Sequence, residues 1–305
     1  MDEEIKDIHL AKDIKVKELT EQLASSGFQA QNLGEAIEIL KEARKNNAKT
    51  FLSFTSNMAA SGLRGIFIDL IKEKKIDVIV TSSGSIDEDL IRSKMPYLRG
   101  SFEVDDKKLG EQGINRMGNV FVPNNRYEFL DEEVKAVLEK IYSRKKELTA
   151  SELLKEVGLE WKHEDSFVVQ AAKNNVEIFC PGITDGSFGM QLTFFKKKNS
   201  DFNVDLLTDF QKIMDIASTY EKKAGIILGG GISKHHAIIS TLVGGGFDYA
   251  VYVNSSSPYR GSLSSATTEE AKSWGKIKKD AKSVTIHGDA AIVFPLIVAS
   301  IEGML

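Results

Sequence analysis

"AGIILGGGISKHHAIISTLVGGG", residues 224–246, decides the fold. It opens on an apolar run suited to a buried strand, passes through Gly229, Gly230 and Gly231, and continues as a helix closed by a second glycine triplet. A strand that turns through glycines into a helix is the building block of a parallel sheet.

The same alternation recurs on both sides. "LGEAIEILKEARKN" (33–46) has the spacing of an amphipathic helix, and "TFLSFT" (50–55) reads as a buried strand. "SNMAASGLRGIFIDLIKEKK" (56–75) follows as one helix. "DVIVTSSG" (77–84) is a strand running into small polar residues and the acidic helix start "SIDEDLIRS" (85–93). After a more polar middle come the strand and loop "VEIFCPGITDGS" (176–187) and a helix inside 202–223. The strands "DYAVYVNSSS" (248–257) and "SVTIHGD" (283–289) come next, then the apolar helix "AAIVFPLIVASIEGML" (290–305). Strands alternating with helices predict an α/β, Rossmann-like parallel sheet with helices on both faces. The expected organisation is one large domain over 31–305 behind an N-terminal extension, residues 1–30.

The strand ends point to a ligand. They open into "TSN", "TSSG", "TDGS", "GGG" and "NSSS". In parallel sheets, ligands bind outside the carboxyl ends of strands, and small residues let a phosphate-bearing molecule approach the backbone.

Bulk properties narrow the classes. A net charge of −4 argues against a general nucleic-acid binder, which needs a basic face. A single cysteine, Cys180, permits no intrachain disulfide and favours a reducing compartment. The charged N-terminus lacks a signal-peptide core, and no uncharged apolar run reaches the ~20 residues of a membrane helix. A cytoplasmic protein with no membrane partner is expected.

Individual motifs leave alternatives open. The triplet at 229–231 lacks G-x-G-x-x-G spacing, and the triplet at 244–246 reads as a helix stop. In "KHH" (234–236), adjacent helical residues point about 100° apart, so His235 and His236 do not chelate one metal, and no metal site is expected. One histidine facing a ligand while the other packs is the functional reading; two structural histidines are the bland one. "DED" (87–89) puts Asp87, Glu88 and Asp89 in a first helical turn, where the macrodipole favours acids with or without an amine to hold. Asp185 and Asp289 stand where an aspartate caps a helix or binds a ribose. In "EEAKSWGKIKKD" (269–280), Trp274 and Gly275 interrupt a charged helix just before Lys276. A lysine nucleophile must shed its proton from an ordinary pKa of about 10.4, and an apolar wall such as Trp274 would help.

Together these fragments resemble deoxyhypusine synthase, in order from about residue 30 to 302. The "SWGKI" block and the triplet followed by "KHH" are the most specific parts, joined by "GINRMGNVFVPN", "TDGSFG", "DYAVYVN" and "GDAAIVFPLIVA". The resemblance implies a parallel Rossmann-like domain, a homotetramer with sites at dimer interfaces, and NAD as cofactor. It implies the transfer of the 4-aminobutyl group of spermidine, through an imine on a lysine, to a lysine of the translation initiation factor 5A precursor. By that likeness Lys276 carries the imine and His235 stands beside the reacting amine. Asp87, Glu88, Gly261, Ser262, Glu270 and Trp274 join them around the substrate. Ser56, Asn57, Met58, Ala59, Ala60, Ser82, Ser83, Gly84, Glu88, Asp185, Gly230, Ser255, Ser256, Asp289 and Ala290 are implied for the cofactor.

The chain also departs from the pattern. Leu263 and Met190 stand where eukaryotic members carry acids, which suggests an archaeal-type member, and Arg260 stands where relatives tend to carry aspartate. An aminobutyltransferase acting on a free diamine, like homospermidine synthase, and a weakly active regulatory paralogue are the alternatives.

Overall fold

The computed structural model describes residues 4–301. In chain order the chain forms α1 (Val16–Ala24), α2 (Gln29–Lys45), β1 (Lys49–Phe54), α3 (Ser56–Ser61), α4 (Arg64–Lys72) and β2 (Val78–Val80). There follow α5 (Ser83–Arg92), β3 (Leu98–Arg99), α6 (Asp106–Glu111), β4 (Ile114–Met117), β5 (Val120–Pro123) and α7 (Asn125–Tyr142). Next are β6 (Glu147–Thr149), α8 (Ala150–Glu160), α9 (Phe167–Asn174), β7 (Glu177–Phe179), α10 (Ser187–Lys198), β8 (Asn203–Asp205) and α11 (Leu206–Thr219). The chain closes with β9 (Lys223–Leu228), α12 (Gly231–Ser240), β10 (Phe247–Asn254), α13 (Thr268–Ser273), β11 (Ile277–His287) and α14 (Ala290–Ser300). Two 3-10 turns, Pro258–Arg260 and Leu263–Ser265, lie between β10 and α13.

These elements form two compact units. The first comprises the described parts of Met1–Phe54, Glu73–Val80 and Phe210–Leu305; the second comprises Thr55–Lys72 and Thr81–Asp209.

In the first unit the parallel strands run in the order β11-β10-β9-β1-β2. β9 is buried along its whole length, as its apolar run requires when both faces are covered. Two tyrosines of β10 demonstrate the two layers. Tyr249 Oη accepts from Asn46 Nδ2 beyond the end of α2, whereas Tyr252 lies beneath Lys234 of α12. Residues three apart in a strand point to opposite faces, so helices cover both. Gly225 makes room for Phe247, whose ring would stand 3.0 Å from a Cβ there and packs edge-on against Phe51. α1 packs on α2 and α14, and Thr20 Oγ1 donates to Ser300 Oγ at 2.8 Å. β11 is an edge strand, with a shift in its pairing to β10 between Phe247 and Tyr249.

The second unit is helical around its core, with Phe67 and Phe167 meeting edge-on between α4 and α9. The polar middle of the sequence holds elements that its periodicity does not reveal: an antiparallel β3-β5-β4 sheet and the parallel pair β6-β8. The helix expected over 56–75 is broken at Gly62, whose φ of +127° ends α3 before α4 begins. The terminal helix stops at Ser300, and residues 302–305 of that expected segment lie outside the described residues. Among the described residues no helix is long and apolar enough to cross a membrane.

Candidate active site

The residues singled out in the sequence fall into two sets, one in each unit. In the first unit, β9, β10 and β11 are neighbours, so their carboxyl ends present Gly229–Gly231, Ser255–Ser257 and Gly288–Asp289 along one edge. Gly229 and Gly231 have φ of +84° and +67°, a region that favours glycine. Gly230 is pressed against the loop before α13: a Cβ there would lie 2.5 Å from that of Ser264. Nothing stands within 4 Å of a Cβ position on Gly231, so open space meets the backbone where α12 begins.

The "KHH" residues separate on α12. His236 packs on Phe210 with ring centroids 5.0 Å apart, and its buried Nε2 has no hydrogen-bond partner. Burial, helped by His235, drives its pKa down to about 4, so it stays neutral. His235 is partly exposed, and burial first and the Lys276 ammonium second lower its pKa. A neutral imidazole can accept a proton. Lys234 is fully buried.

Lys276 sits in the turn between α13 and β11. Trp274 ends α13, Gly275 turns the chain with φ of +69°, and Ile277 starts the strand. The interruption noticed in "EEAKSWGKIKKD" is therefore a helix-to-strand turn. Lys276 is partly buried, with Nζ 5.5 Å from the centroid of the Trp274 ring. Trp274 itself is 66% exposed, so within this chain it forms one side of a wall rather than a closed tunnel. Glu270, in the first turn of α13, is exposed. Gly261 (φ +64°), Ser262, Arg260 and Leu263 all lie at the surface of the loop before α13.

Asp289 caps α14 by accepting the Ala291 N–H at 2.8 Å, with Ala290 opening the helix. Ser255 is exposed, and Ser256 donates its N–H to Asn254 Oδ1 at 2.8 Å. Asn254 Nδ2 is buried without a partner. That orphaned donor, the space left beside Gly231 by its missing side chain and the exposed hydroxyl of Ser255 suit the hydroxyls and phosphates of a dinucleotide.

In the second unit, Met58, Ala59 and Ala60 turn their side chains into the core, leaving Ser56 and Asn57 of α3 with outward side chains. A Cβ on Gly84 would lie 3.0 Å from that of Ser56, so α3 and α5 approach closely. Ser82 precedes α5, and Ser83 Oγ donates to Ile183 O at 3.0 Å. Asp185 is exposed in the loop before α10.

The "DED" acids do not occupy a first turn. α5 begins at Ser83, because the small residues after β2 let the helix start at once, and all three acids are buried a turn further in. Their tasks differ. Asp87 accepts the N–H groups of Ser187 and Phe188 at the start of α10, at 2.9 and 2.8 Å. Asp89 pairs with Arg64 and accepts from Ser166, Phe167 and Val168 at the start of α9. Glu88 alone of the three has a buried oxygen, Oε2, without a hydrogen-bond partner. Burial raises its pKa to about 7, against the opposing pull of Tyr97 and Arg92. Such a carboxylate gains by meeting a cation.

Sequence reasoning missed Lys234, Asn254 and Tyr97. A lysine within "KHH" and an asparagine ending a strand carry no signal until burial is known.

The family model described as deoxyhypusine synthase matches residues 18–301. "Probable deoxyhypusine synthase" of Thermoplasma acidophilum is 43% identical, over 97% of this chain and 96% of its own. The protein of the same name from Methanocaldococcus jannaschii is 44% identical, over 95% of this chain and 93% of its own. A solved structure of an Entamoeba histolytica chain assigned to deoxyhypusine synthase superposes with a TM-score of 0.69 at 27% identity, covering 97% of this chain and 96% of that one. The chain thus belongs to the deoxyhypusine synthase family and is an archaeal-type member of it.

Proposed function

We propose that this chain catalyses the transfer of the 4-aminobutyl group of spermidine, through an imine on Lys276, to a lysine of the translation initiation factor 5A precursor. Family membership supports a reaction of the deoxyhypusine synthase type. The observation that carries the residue-level reading is Lys276 in a glycine turn against Trp274, close enough to His235 to lower that histidine's pKa.

When bound, NAD would supply the hydride chemistry at the amine carbon, accepting a hydride and later giving one back. Around that exchange the chain's own groups move protons and hold the carbon skeleton. Neutral His235 accepts the proton that leaves as the secondary amine of spermidine becomes an imine. The free amine of Lys276 then adds to the C=N bond, and 1,3-diaminopropane departs with the proton it needs. A four-carbon imine remains on Lys276. The acceptor lysine adds in turn, releases Lys276 as a free amine, and the new imine is reduced to a secondary amine. A covalent carrier splits one difficult alkyl transfer into easier steps. On this reading Glu88 of the second unit and Glu270 of the first are each assigned to a cationic group of the substrate. The family likeness also assigns Gly230, Ser255, Ser256, Asp289 and Ala290 of the first unit, and Ser56–Ala60, Ser82–Gly84, Glu88 and Asp185 of the second, to cofactor binding. Asp87, its oxygens engaged by α10, acts by positioning. A cytoplasmic homotetramer is the assembly proposed.

A second reading keeps the aminobutyl chemistry and changes the acceptor to a free diamine. The exposed loop before α13 carries Arg260 and Leu263, no acid, beside Gly261 and Ser262, so it offers no carboxylate to the end of a polyamine and does not by itself choose between a protein lysine and a diamine. The test supplies NAD, labelled spermidine, and either the factor precursor or putrescine. Label on a lysine of the factor supports the first reading; label on putrescine alone replaces it with the second.

A further inference from the structure

α12 holds a lysine where a solvated one would be ordinary. Lys234 is fully buried, and its Nζ donates to Ala266 O at 2.6 Å and to Ser264 O at 3.3 Å. It also lies 4.6 Å from the centroid of the Tyr252 ring. Two carbonyls and an aromatic face thus receive the ammonium. A second tie runs alongside: Gly231 donates its N–H to Ser264 Oγ at 2.9 Å. Residues 264–266 are therefore fastened to the first turns of α12 at two points.

The fastened segment leads straight to the lysine turn. Thr267 caps α13 through the Glu270 N–H at 3.2 Å, and the Thr268 N–H donates to Thr285 Oγ1 of β11 at 2.9 Å. Six residues of helix later the chain reaches Trp274 and Lys276. His235, next to Lys234, belongs to the helix that the segment is tied to. The groups are also coupled by charge: burial and, to a smaller extent, Lys276 lower Lys234 against the opposing pull of Glu270, leaving it at about 8.

We propose that Lys234 is a positioning residue, whose ammonium pins residues 264–266 to α12 and so sets where Lys276 stands relative to His235. This rests on Lys276 being the imine carrier. An apolar side chain in its place leaves two carbonyls unpaired, and the segment shifts to find water. The Lys234 ammonium is directed to the Ser264 and Ala266 carbonyls, which is why its role is positioning.

The test uses the full chain with Lys234→Met, which keeps length and burial without donors. Hydrogen–deuterium exchange on the cofactor-free protein reads the pin directly: exchange over 262–275 accelerates while the rest of the sheet is unchanged. In a single turnover with NAD and labelled spermidine, quenched by borohydride, the adduct on Lys276 per NADH formed falls about fivefold. Loss of folded protein would lower both quantities together. If Lys234→Met does not fold, Ser264→Ala removes the other tie and gives the same two changes, the second about twofold. Wild-type exchange over 262–275, or a wild-type adduct ratio, in the folded variant overturns the proposal. A wild-type chain that makes NADH but no Lys276 adduct overturns the carrier assignment, and this inference with it.

Discussion

Gly246 packs directly against Gly275: a Cβ on Gly246 would stand 2.8 Å from the Gly275 carbonyl oxygen and 3.0 Å from the carbonyl carbon of Lys276. With φ of +85°, Gly246 also occupies a conformation that a side chain disfavours. The second glycine triplet therefore does more than stop a helix; its last member backs the turn that presents Lys276. Gly246→Ala is expected to lower stability by about 1–3 kcal/mol and to cut transfer by more than the loss of folded protein explains. Thermal melts run beside the transfer assay separate the two. Wild-type transfer at full folding would show that the turn tolerates displacement.

Lys276→Ala removes the amine proposed to hold the four-carbon unit, so transfer is expected to disappear while NAD binding stays within about twofold of wild type. Calorimetry of NAD binding and the labelled transfer assay read the two halves separately. Undiminished transfer would falsify the role given to Lys276.

Arg260 lies exposed next to Gly261 and Ser262. Replacing it by aspartate reverses a charge where a polyamine is expected, and spermidine binding should tighten severalfold at low salt and less at high salt. Unchanged affinity at both salt concentrations counts against a repulsive role.

Buried carboxyls give the stability a pH dependence of known sign. Burial raises Glu88 to about 7 and Asp87 to about 6, above the ~4 of an unfolded chain. The folded state then binds more protons than the unfolded one between those values. The stability these groups contribute is complete below about 4 and is lost as pH rises through about 6 to 7. His236, held down to about 4, works the other way over the same range, so the carboxyl contribution is read by urea unfolding of the substrate-free protein at pH 5 and pH 8 in the wild type against a Glu88 variant. Glu88→Gln should raise stability at pH 8 relative to pH 5 by on the order of 2 kcal/mol; an unchanged pH dependence in the variant means Glu88 does not carry it.

Asp89→Ala leaves Arg64 buried without that partner and strips the start of α9 of its acceptor. A loss of about 3–5 kcal/mol in unfolding free energy is expected. A loss under about 1 kcal/mol would mean that Asp165, the other acid on Arg64, compensates.

The strand–glycine–helix passages were legible because three local signals coincide: apolar runs, small residues at strand ends and helical spacing after them. β9, its glycines and α12 match them closely. The break at Gly62 was not, because a single glycine within a helical pattern is usually tolerated. Nor was the fate of "DED". The roles of Asp87 and Asp89 are decided by N–H groups of Phe167, Val168, Ser187 and Phe188, 78 to 101 residues away, and local propensity cannot see such partners. Lys276 and His235 stood out through a family likeness carried by their neighbours. Lys234 is spelled like any surface lysine, and only burial distinguishes it.

The bulged border strand β11 has a further consequence. Its first half carries Lys278, Lys279, Asp280 and Lys282, and Lys278 and Lys282 are tied to Asp248 and Glu42. A foreign strand adding there would have to strip water from these charges and match an irregular ladder. The rim next to Lys276 thus resists templated aggregation, and the turn can stay accessible without becoming a nucleus for fibrils.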